Sequence, residues 1–378
     1  MSLDRGLAAA VGLALGVAVS AEELPTTDPR WELSGPSIKR EAAEGRELIT
    51  ADSGLAVRRD VRLEDGTIAF DVRLTRRRSF VYLKFRMQDD GEYEEIYLRP
   101  HKSGLPDAVQ YTPVYQGQSA WQLHHGPGAT AAVEFATDRF TRVRLVLQGT
   151  RAALFVGDGV EPALVMPALA RTPRAGYIAL RCFVPPGTPG AEPAARFANV
   201  SIDPGRVDYD FGTAAAPPTP APGVIRSWAV SQALTAPDGP EPRAPSKEVL
   251  GAFSRVDAPP SGLVELHRHV RIPKGSREAG AAARVFVRAA QAGVRALDLG
   301  FSDRATVFLN GVALFEGDAS YSFDAPRREG LIGFDQARLF LPLRQGENEL
   351  LVVVRDGFGG MGLMARYVDA SGLETEAR

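Results

Sequence analysis

Residues 80–98 read FVYLKFRMQDDGEYEEIYL, two alternating runs on either side of an Asp-Gly pair. An Asp-Gly pair between such runs is a strong hairpin signal, because both turn residues can take positive φ. In each run the aliphatic side chains occupy every second position, so one face of each strand is apolar and the other is polar. The stretch therefore predicts two antiparallel strands, Phe80–Met87 and Tyr93–Leu98.

The polar sides of these two strands are predicted to meet on one face of the sheet. With a two-residue loop the facing pairs are Tyr82 with Arg99, Lys84 with Tyr97, and Arg86 with Glu95. A four-residue loop shifts the pairing by two residues and leaves the faces unchanged. In either register the tyrosines, the paired charges and the arginines share one face, which we call the polar face.

More candidate residues follow the hairpin directly. Residues 101–125 hold three of the five histidines and one of the three tryptophans of the chain. Rings supply stacking surface for sugars, and charged groups supply directional hydrogen bonds. The alternative is the solvated side of a sandwich, because antiparallel sheets often present one wet face. The predicted ligand-binding residues are Tyr82, Lys84, Arg86, Glu95, Tyr97, Arg99, His101, Tyr111, Trp121 and His124.

Short alternating runs closed by glycine, proline or aspartate recur along the chain. Besides the hairpin, they are Gly66–Leu74, Arg142–Leu147, Ala152–Val156 and Gly176–Phe183, and later Leu263–Ile272, Arg284–Ala290, Ala296–Phe301, Ala305–Leu309, Arg338–Leu341 and Asn348–Val354. Helical periodicity is nearly absent, and its best candidate is Ile38–Leu48. This pattern predicts an all-β chain of two β-sandwich (jelly-roll) domains in tandem.

A change of composition divides the chain. Residues 212–223 contain four prolines and nothing apolar larger than alanine or proline, which favours an extended linker. The predicted units are a sandwich at 22–206, a Pro/Ala-rich linker at 207–223, a second sandwich at 224–370 and a tail at 371–378. A second Pro-rich stretch, 237–245, is predicted to be a surface loop.

Residues 1–21 are predicted to be a secretory signal peptide. Leu7–Val19 is an uncharged run of thirteen residues, preceded by Arg5 and followed by small residues that suit cleavage after Ala21. The run is shorter than the ~20 residues of a membrane span, and no other stretch approaches that length. We therefore expect a periplasmic or secreted protein with no membrane span after cleavage.

The composition argues against several kinds of site. A formal net charge of −2 gives no basic footprint for nucleic acid. The single cysteine, Cys182, excludes a disulfide within the chain and any multi-cysteine metal site, and it is predicted to be a buried hydrophobe in its strand. His267 and His269 share a face of the predicted strand Leu263–Ile272 but lack a third ligand. No metal and no cofactor are predicted.

Two glycine motifs of the second half are predicted to be turns. Gly357–Gly362 fits the pattern G-x-G-x-x-G after a strand. Only sixteen residues follow it, too few for the helix, second strand and acidic residue of a dinucleotide site. Asn310-Gly311 lies between two short apolar runs and predicts a type I′ hairpin turn.

Both halves of the chain resemble known sandwich families. Residues 31–204, with DGTIAFDV at 65–72 and GYIALR at 176–181, resemble the concanavalin A-like lectin/glucanase domain, and within it laminin-G-like domains and the 3-keto-disaccharide hydrolase domain. The Glu-x-Asp-x-x-Glu motif that the family's glycanases use is absent, so the resemblance does not extend to their retaining hydrolysis. LDLGFSDRATVFLNG at 297–311 and LPLRQGENEL at 341–350 resemble the galactose-binding-like jelly roll that accompanies many glycosidases.

The resemblances and the polar face together predict an exported protein that binds carbohydrate noncovalently, with a polysaccharide or oligosaccharide as its partner and no nucleic acid. The first alternative is a glycoside-processing enzyme, either 3-keto-glycoside hydrolase-like or a lyase that uses His101, His124 or His125 with Tyr111 as acid and base. The second alternative is an adhesion module whose polar face meets another protein. Whether the chain is an enzyme stays open, with the missing glucanase motif arguing against it.

Overall fold

The computed structural model describes residues 21–214, 216, 218–234, 244–272, 279–322 and 329–378. Within these ranges the chain is almost all strand, with one α-helix, α1 (Lys247–Leu250), and two single-turn 3-10 helices at Pro100–Lys102 and Leu266–Arg268. The all-β prediction is confirmed. Residues 1–20 of the predicted signal peptide and most of the predicted loop 237–245 lie outside the described residues. No described helix is long and apolar enough to cross a membrane.

The first half of the chain forms one continuous sheet of fourteen strands, all paired antiparallel. The strands are β1 (Glu22–Glu23), β2 (Glu32–Ala43), β3 (Arg46–Leu63), β4 (Gly66–Leu74), β5 (Phe80–Met87), β6 (Tyr93–Leu98), β7 (Val109–Tyr115), β8 (Gln118–Ser119), β9 (Thr130–Ala131), β10 (Thr141–Gln148), β11 (Arg151–Val156), β12 (Leu164–Met166), β13 (Gly176–Phe183) and β14 (Ala195–Pro204). The predicted bounds of β4, β5, β6 and β13 are confirmed to the residue.

This sheet folds over on itself to make the first sandwich. Its strand order is β12-β11-β10-β4-β14-β3-β13-β5-β6-β7-β8, and the long β3 pairs with β14 near its start and with β13 along the rest. Phe70, Leu145 and Leu154 from β4, β10 and β11 pack in one core with Leu83 and Ile96 from β5 and β6. Burial of one face of each strand explains why the period-two runs become strands.

The second half forms a sandwich of two sheets around its own core. Its strands are β15 (Ser227–Val230), β16 (Ser254–Asp257), β17 (Val264–Glu265), β18 (Ala279–Ala289), β19 (Gly293–Ser302), β20 (Arg304–Leu309), β21 (Val312–Asp318), β22 (Ala337–Leu343), β23 (Gly346–Asp356), β24 (Gly362–Tyr367) and β25 (Leu373–Glu376). The larger sheet has the order β16-β15-β18-β23-β20-β21 with β25 on β18, and the smaller has the order β17-β24-β19-β22. Val285 and Val352 of the larger sheet pack against Leu297 and Leu363 of the smaller.

The predicted helix at Ile38–Leu48 is wrong, because this segment is the turn of the β2–β3 hairpin. Glu44 and Gly45 have φ values of 57° and 69°, which reverse the chain, and Ile38 packs against the core. Glutamate is an uncommon residue at positive φ, so the turn is hidden in a segment of good helix formers. Cross-strand pairing overrides that local preference.

The predicted strand Leu263–Ile272 is also wrong beyond its first residues. Only Val264–Glu265 is strand, and the chain then turns through the 3-10 helix Leu266–Arg268. His267 and His269 therefore do not share a strand face. His267 is fully buried, and its Nδ1 lies 3.2 Å from the Met361 backbone carbonyl oxygen.

The segments predicted to be a linker and a tail make definite contacts. Val207, Tyr209 and Phe211 pack on an apolar patch on the outer side of β10 and β11. Within 371–378, β25 pairs with β18 and so adds a strand to the larger sheet of the second sandwich. Residues 215 and 217 lie outside the described residues.

The two sandwiches meet in part where residues 120–123 of the first contact the Gly357–Gly362 turn of the second. The Gln122 N–H donates to the Gly359 carbonyl at 3.1 Å, and the Gln122 carbonyl accepts from the Ile332 N–H at 3.1 Å. A Cβ on Gly360 would lie 2.8 Å from the Ala120 Cα. The glycines of this motif therefore form a turn, as predicted, and they let the two sandwiches approach closely.

Candidate functional site

The predicted β5–β6 hairpin is present. Its register is shifted by two residues from the one that a two-residue loop would give. Lys84 lies opposite Glu95 and Tyr82 opposite Tyr97, whereas the two-residue loop would have paired Lys84 with Tyr97. The Gln88 N–H donates to the Glu92 carbonyl at 2.9 Å and closes the longer loop. The parity of the strands is unchanged, so the tyrosines and the Lys84–Glu95 pair share the polar face.

Arg86 does not belong to the polar face. Its φ is 49°, and the β5–β13 ladder is irregular at this point, so the alternation of side chains breaks here. The guanidinium donates to the carbonyls of Glu64 and Gly149 at 2.8 and 2.7 Å, and Arg86 Nη1 lies 3.8 Å from Glu94 Oε1. Burial raises the pKa of Glu94 to about 7. The prediction for Arg86 is wrong, because a positive φ at an arginine leaves no signal in the sequence.

The centre of the polar face is a buried network. Lys84 and Glu95 are 5% and 2% exposed. Lys84 Nζ donates to the Tyr93 hydroxyl at 2.5 Å, and Glu95 Oε1 accepts from the hydroxyls of Thr112 and Ser119 at 3.2 and 2.9 Å. Burial lowers the pKa of Lys84 to about 8. These side chains bond to one another and are closed off from a ligand.

A second buried network lies beside it. Arg99 Nη2 donates to the Tyr97 hydroxyl at 2.9 Å, and that hydroxyl donates to Gln110 Oε1 at 2.7 Å. Arg99 Nη1 donates to the Asp107 carboxylate at 2.8 Å. Gln110 Nε2 in turn donates to the backbone carbonyls of Trp121 and His124. The network holds residues 119–125 against β6 and β7, so the role of Arg99 is to fix the position of these residues.

The open end of the polar face lies at β5 and β13. Arg181 pairs with Tyr82 and Phe183 pairs with Phe80 across these strands. The four residues are half-buried, and we call them the aromatic rim. The Arg181 guanidinium carbon lies 5.1 Å from the Tyr82 ring centre and 5.6 Å from that of Phe183. The Tyr82 ring lies 5.2 Å from the ring of Tyr97, which the buried network holds in place.

His101 lies at the edge of the aromatic rim. Its ring centre is 5.2 Å from that of Phe80, and its Nδ1 lies 3.1 Å from the Ser79 carbonyl oxygen. Burial, with the nearby charge of Arg78, lowers the pKa of His101 to about 4. At neutral pH the ring is therefore uncharged.

Trp121 and His124 lie at the contact between the sandwiches. The Trp121 ring packs on Tyr321 and Phe358 of the second sandwich, at centre distances of 5.6 and 5.8 Å. His124 Nε2 lies 3.3 Å from Glu265 Oε2. This histidine, helped by His267 and Arg268, lowers the pKa of Glu265 to about 2 despite burial. Both predicted residues are thus separated from the aromatic rim.

Tyr111 faces the other side of β7 from Gln110 and belongs to the core of the first sandwich. Its hydroxyl accepts from the Ala170 N–H at 2.7 Å. Its ring meets the ring of His124 edge-on at 6.1 Å, and His125 Nε2 lies 2.7 Å from the Ile332 carbonyl oxygen. Of the residues named for a lyase, Tyr111 and His124 are thus in ring contact, whereas His101 lies at the aromatic rim and His125 contacts the second sandwich.

Of the predicted residues, the structure brings Tyr82, Lys84, Glu95, Tyr97 and Arg99 onto one face. Sequence reasoning missed Phe80, Arg181 and Phe183, which complete the open end. Arg181 and Phe183 occupy alternate positions of the predicted strand Gly176–Phe183, and Phe80 stands two residues before Tyr82 in β5, but the pairing of these two strands was not predictable. Across the described ranges, no group of three or more histidine, cysteine or acidic side chains is arranged to hold a metal ion.

No protein-family model matches this chain, and no curated protein is similar to it. Similar solved structures include the carbohydrate-binding module CBM66 from Bacillus subtilis, which is 13% identical, with 44% of this chain and 92% of the module covered and a TM-score of 0.32. A β-glucanase from Bacillus licheniformis is 12% identical, with 49% and 98% covered and a TM-score of 0.36. A family 35 carbohydrate-binding module from an environmental isolate is 19% identical, with 26% and 72% covered and a TM-score of 0.19.

A glucanase and carbohydrate-binding modules are thus among the similar solved structures. With TM-scores below 0.5, these similarities do not show what this chain binds.

Proposed function

We propose that this chain is an exported protein that binds carbohydrate noncovalently at the aromatic rim of the first sandwich. The observation that carries the proposal is the position of Arg181 above Tyr82 and Phe183 at the open end of the polar face. Ring faces pack against the C–H faces of a sugar, and a guanidinium donates directional hydrogen bonds to its hydroxyls. The rim offers both in half-buried side chains.

The buried networks beneath the rim support this proposal. The Tyr97 ring is fixed by Arg99 and Gln110 through its hydroxyl, and it packs against both Tyr82 and Phe80. Tyr97 is 4% exposed, so its ring does not contact a ligand but limits the movement of the Tyr82 and Phe80 rings that pack on it. Those rings then lose less side-chain entropy when a ligand binds. The network thus gives the half-buried rings of the aromatic rim a rigid base.

Binding is favoured over hydrolysis by the state of the carboxylates on the polar face. Paired-carboxylate hydrolysis needs an acid and a second carboxylate on either side of the sugar. Glu95 is buried, with one oxygen bonded to Thr112 and Ser119. Asp107 is paired with Arg99 and Lys102. The proposal therefore gives these two carboxylates a structural role.

The test is affinity electrophoresis of the purified full chain through gels that contain a panel of soluble polysaccharides. We expect retardation by at least one polysaccharide, and a loss of about tenfold in affinity in Tyr82→Ala and in Phe183→Ala, because each removes one stacking ring. A matched control is Phe140→Ala, which removes a ring that also lies beside an arginine, Arg46, at 4.7 Å.

The control variant is expected to bind like the wild type. Absence of retardation by every polysaccharide, or rim variants as strongly retarded as the wild type with folding intact by circular dichroism, would overturn the proposal.

A further inference from the structure

The second sandwich contains a cavity of about 490 Å³, and none of its lining residues belongs to the polar face. It lies on the outer side of the smaller sheet, away from the core residues Leu297 and Leu363. The residues that line it are Asp298, Phe334, Asp335, Ala337, Arg338 and Arg366. A cavity of this volume, lined by a ring and convergent charged groups, is of the size that holds a small ligand.

Three charged side chains form a row across the cavity floor. In the ladders of β19, Asp298 lies directly opposite Arg338 on β22 and Arg366 on β24. Arg338 Nε donates to Asp298 Oδ1 at 2.7 Å, and Arg366 Nη2 donates to Oδ2 at 2.8 Å. The two arginines hold the pKa of Asp298 below its usual range. One carboxylate thus orients two guanidinium groups, and the row keeps one positive charge.

The next cross-strand pair on the same face of the smaller sheet is apolar. Ala296 lies opposite Phe340 in the β19–β22 ladder, and Phe340 is 67% exposed. The small side chain of Ala296 leaves space next to the Phe340 ring. Because residues two apart on a strand share a face, Phe340 stands beside Arg338. An exposed ring therefore adjoins an oriented guanidinium.

The far wall of the cavity is fixed by the loop that carries Phe334. Gln336 Oε1 accepts from the Phe301 N–H at 2.7 Å, and a Cβ on Gly300 would lie 2.5 Å from the Gly333 carbonyl oxygen, so the loop packs tightly on β19. The Arg366 guanidinium carbon lies 4.7 Å from the Phe334 ring centre. Both arginines are therefore held in place before a ligand binds.

We propose that this cavity is a second binding site, for an acidic sugar whose carboxylate bonds to Arg338 and Arg366 while its ring lies against Phe340. The remaining guanidinium N–H groups of Arg338 and Arg366 can donate to a carboxylate. Asp298 and Asp335 balance the two arginines in formal charge, so recognition rests on these directed hydrogen bonds. Asp335 at the rim of the cavity accepts from sugar hydroxyls. The inference rests on the proposed function only in that the ligand is a glycan, and the site is separate from the aromatic rim.

The experiment is isothermal titration of the full chain with three trisaccharide probes: trigalacturonate, neutral galactotriose and a sulfated galactotriose. We expect trigalacturonate to bind at least tenfold more tightly than galactotriose, with an affinity that falls as salt is raised. We expect Arg338→Gln to lose about tenfold in affinity for trigalacturonate and Phe340→Ser to lose severalfold. Arg338 is 56% exposed at its side chain, so its variant should fold.

Arg255→Gln is the matched control, since it removes the same charge from an exposed arginine on the edge strand β16 of the same sandwich. It should bind trigalacturonate like the wild type. No binding of trigalacturonate, equal binding by Arg338→Gln, or tighter binding of the sulfated probe would overturn the assignment.

Titration of Tyr82→Ala separates the two sites. If this variant binds trigalacturonate like the wild type, the cavity is supported independently of the aromatic rim. If Tyr82→Ala loses that binding while Arg338→Gln keeps it, the acidic sugar binds at the rim and the cavity assignment is wrong.

Discussion

The polar face of the first sandwich and the charged row of the second each contain an arginine paired with an aspartate. The arginine is buried in the first and exposed in the second. In the first, Arg99 is 5% exposed and shares its donors among Tyr97, Gln110 and Asp107. In the second, Arg338 is 56% exposed at its side chain and lines a cavity, and its Nε and Nη2 donate to Asp298 at 2.7 and 3.3 Å. A buried charged group is bonded to other groups of the protein and has a structural role, whereas an exposed one can still bind a ligand.

The difference shows what a dense run of aromatic and charged residues means. The residues from 82 to 124 are dense because they build two buried networks and a contact between sandwiches. The charged row is sparse in sequence, since Asp298, Arg338 and Arg366 come from three strands far apart along the chain. Density along the sequence therefore predicts local structure better than it predicts an accessible site.

The largest expected loss of stability follows from replacing Arg99, the buried arginine of this comparison. Arg99→Met leaves the Tyr97 hydroxyl and Gln110 Oε1 without their charged donor, whereas Asp107 keeps its ion pair with Lys102. Two orphaned buried polar groups, at about 1–3 kcal/mol each, cost about 2–6 kcal/mol together. We expect the free energy of unfolding in urea to fall by about that amount. A fall below about 1 kcal/mol would mean that the network contributes little and that Arg99 is as replaceable as a surface arginine.

The next effect concerns the contact between the sandwiches. Gly360 has φ of 111°, and a Cβ there would lie 2.8 Å from the Ala120 Cα, whereas Gly346 has φ of 87° with open space around its Cβ position. Gly360→Ala is expected to cost about 2–3 kcal/mol, from both backbone strain and the clash, and Gly346→Ala about 1 kcal/mol, from strain alone. Denaturant unfolding of both variants measures the difference. Equal losses would show that close approach at Gly360 contributes nothing.

The sequence predicts those features that are determined by residues close together in the chain. The Asn310-Gly311 turn and the bounds of β4, β5, β6 and β13 are local features, and all are found as predicted. The hairpin at Asp90-Gly91 is also present, with the longer loop. The aromatic rim needs β13, about ninety residues beyond β5, to pair with it, and no local signal gives that partner. Trp121 and His124 were placed wrongly for the same reason, because their contacts come from the second sandwich.

A pH effect distinguishes two kinds of buried carboxylate in the second sandwich. Asp298 has its pKa lowered by arginines, whereas burial raises the pKa of Asp356 to about 7 and also raises that of its neighbour Asp303. The folded state then holds a proton that the unfolded state releases near pH 4. The stabilisation is complete below pH 4 and is lost as pH rises toward 7.

We expect the contribution of this pair to fall by up to about 4 kcal/mol between pH 4 and pH 8, because each pKa unit between the folded and unfolded states corresponds to about 1.4 kcal/mol. Asp356→Asn, which stays neutral, should remove that part of the pH dependence, and Asp138→Asn, at an exposed position, should not. Urea unfolding at several pH values gives both curves. A wild-type curve with the same slope as that of Asp356→Asn would contradict the raised pKa.

The smallest expected change in stability lies on the exposed side of the comparison. Arg338→Gln removes one of two donors to Asp298 while Arg366 still pairs with it at 2.8 Å, and an exposed ion pair contributes about 0.2–1 kcal/mol. We expect a loss of about 0.5 kcal/mol in the free energy of unfolding, measured in urea beside Arg99→Met. A loss of several kcal/mol would place Arg338 with the buried supports. The charged row would then be a structural network like that of Arg99, and the contrast between the two regions would disappear.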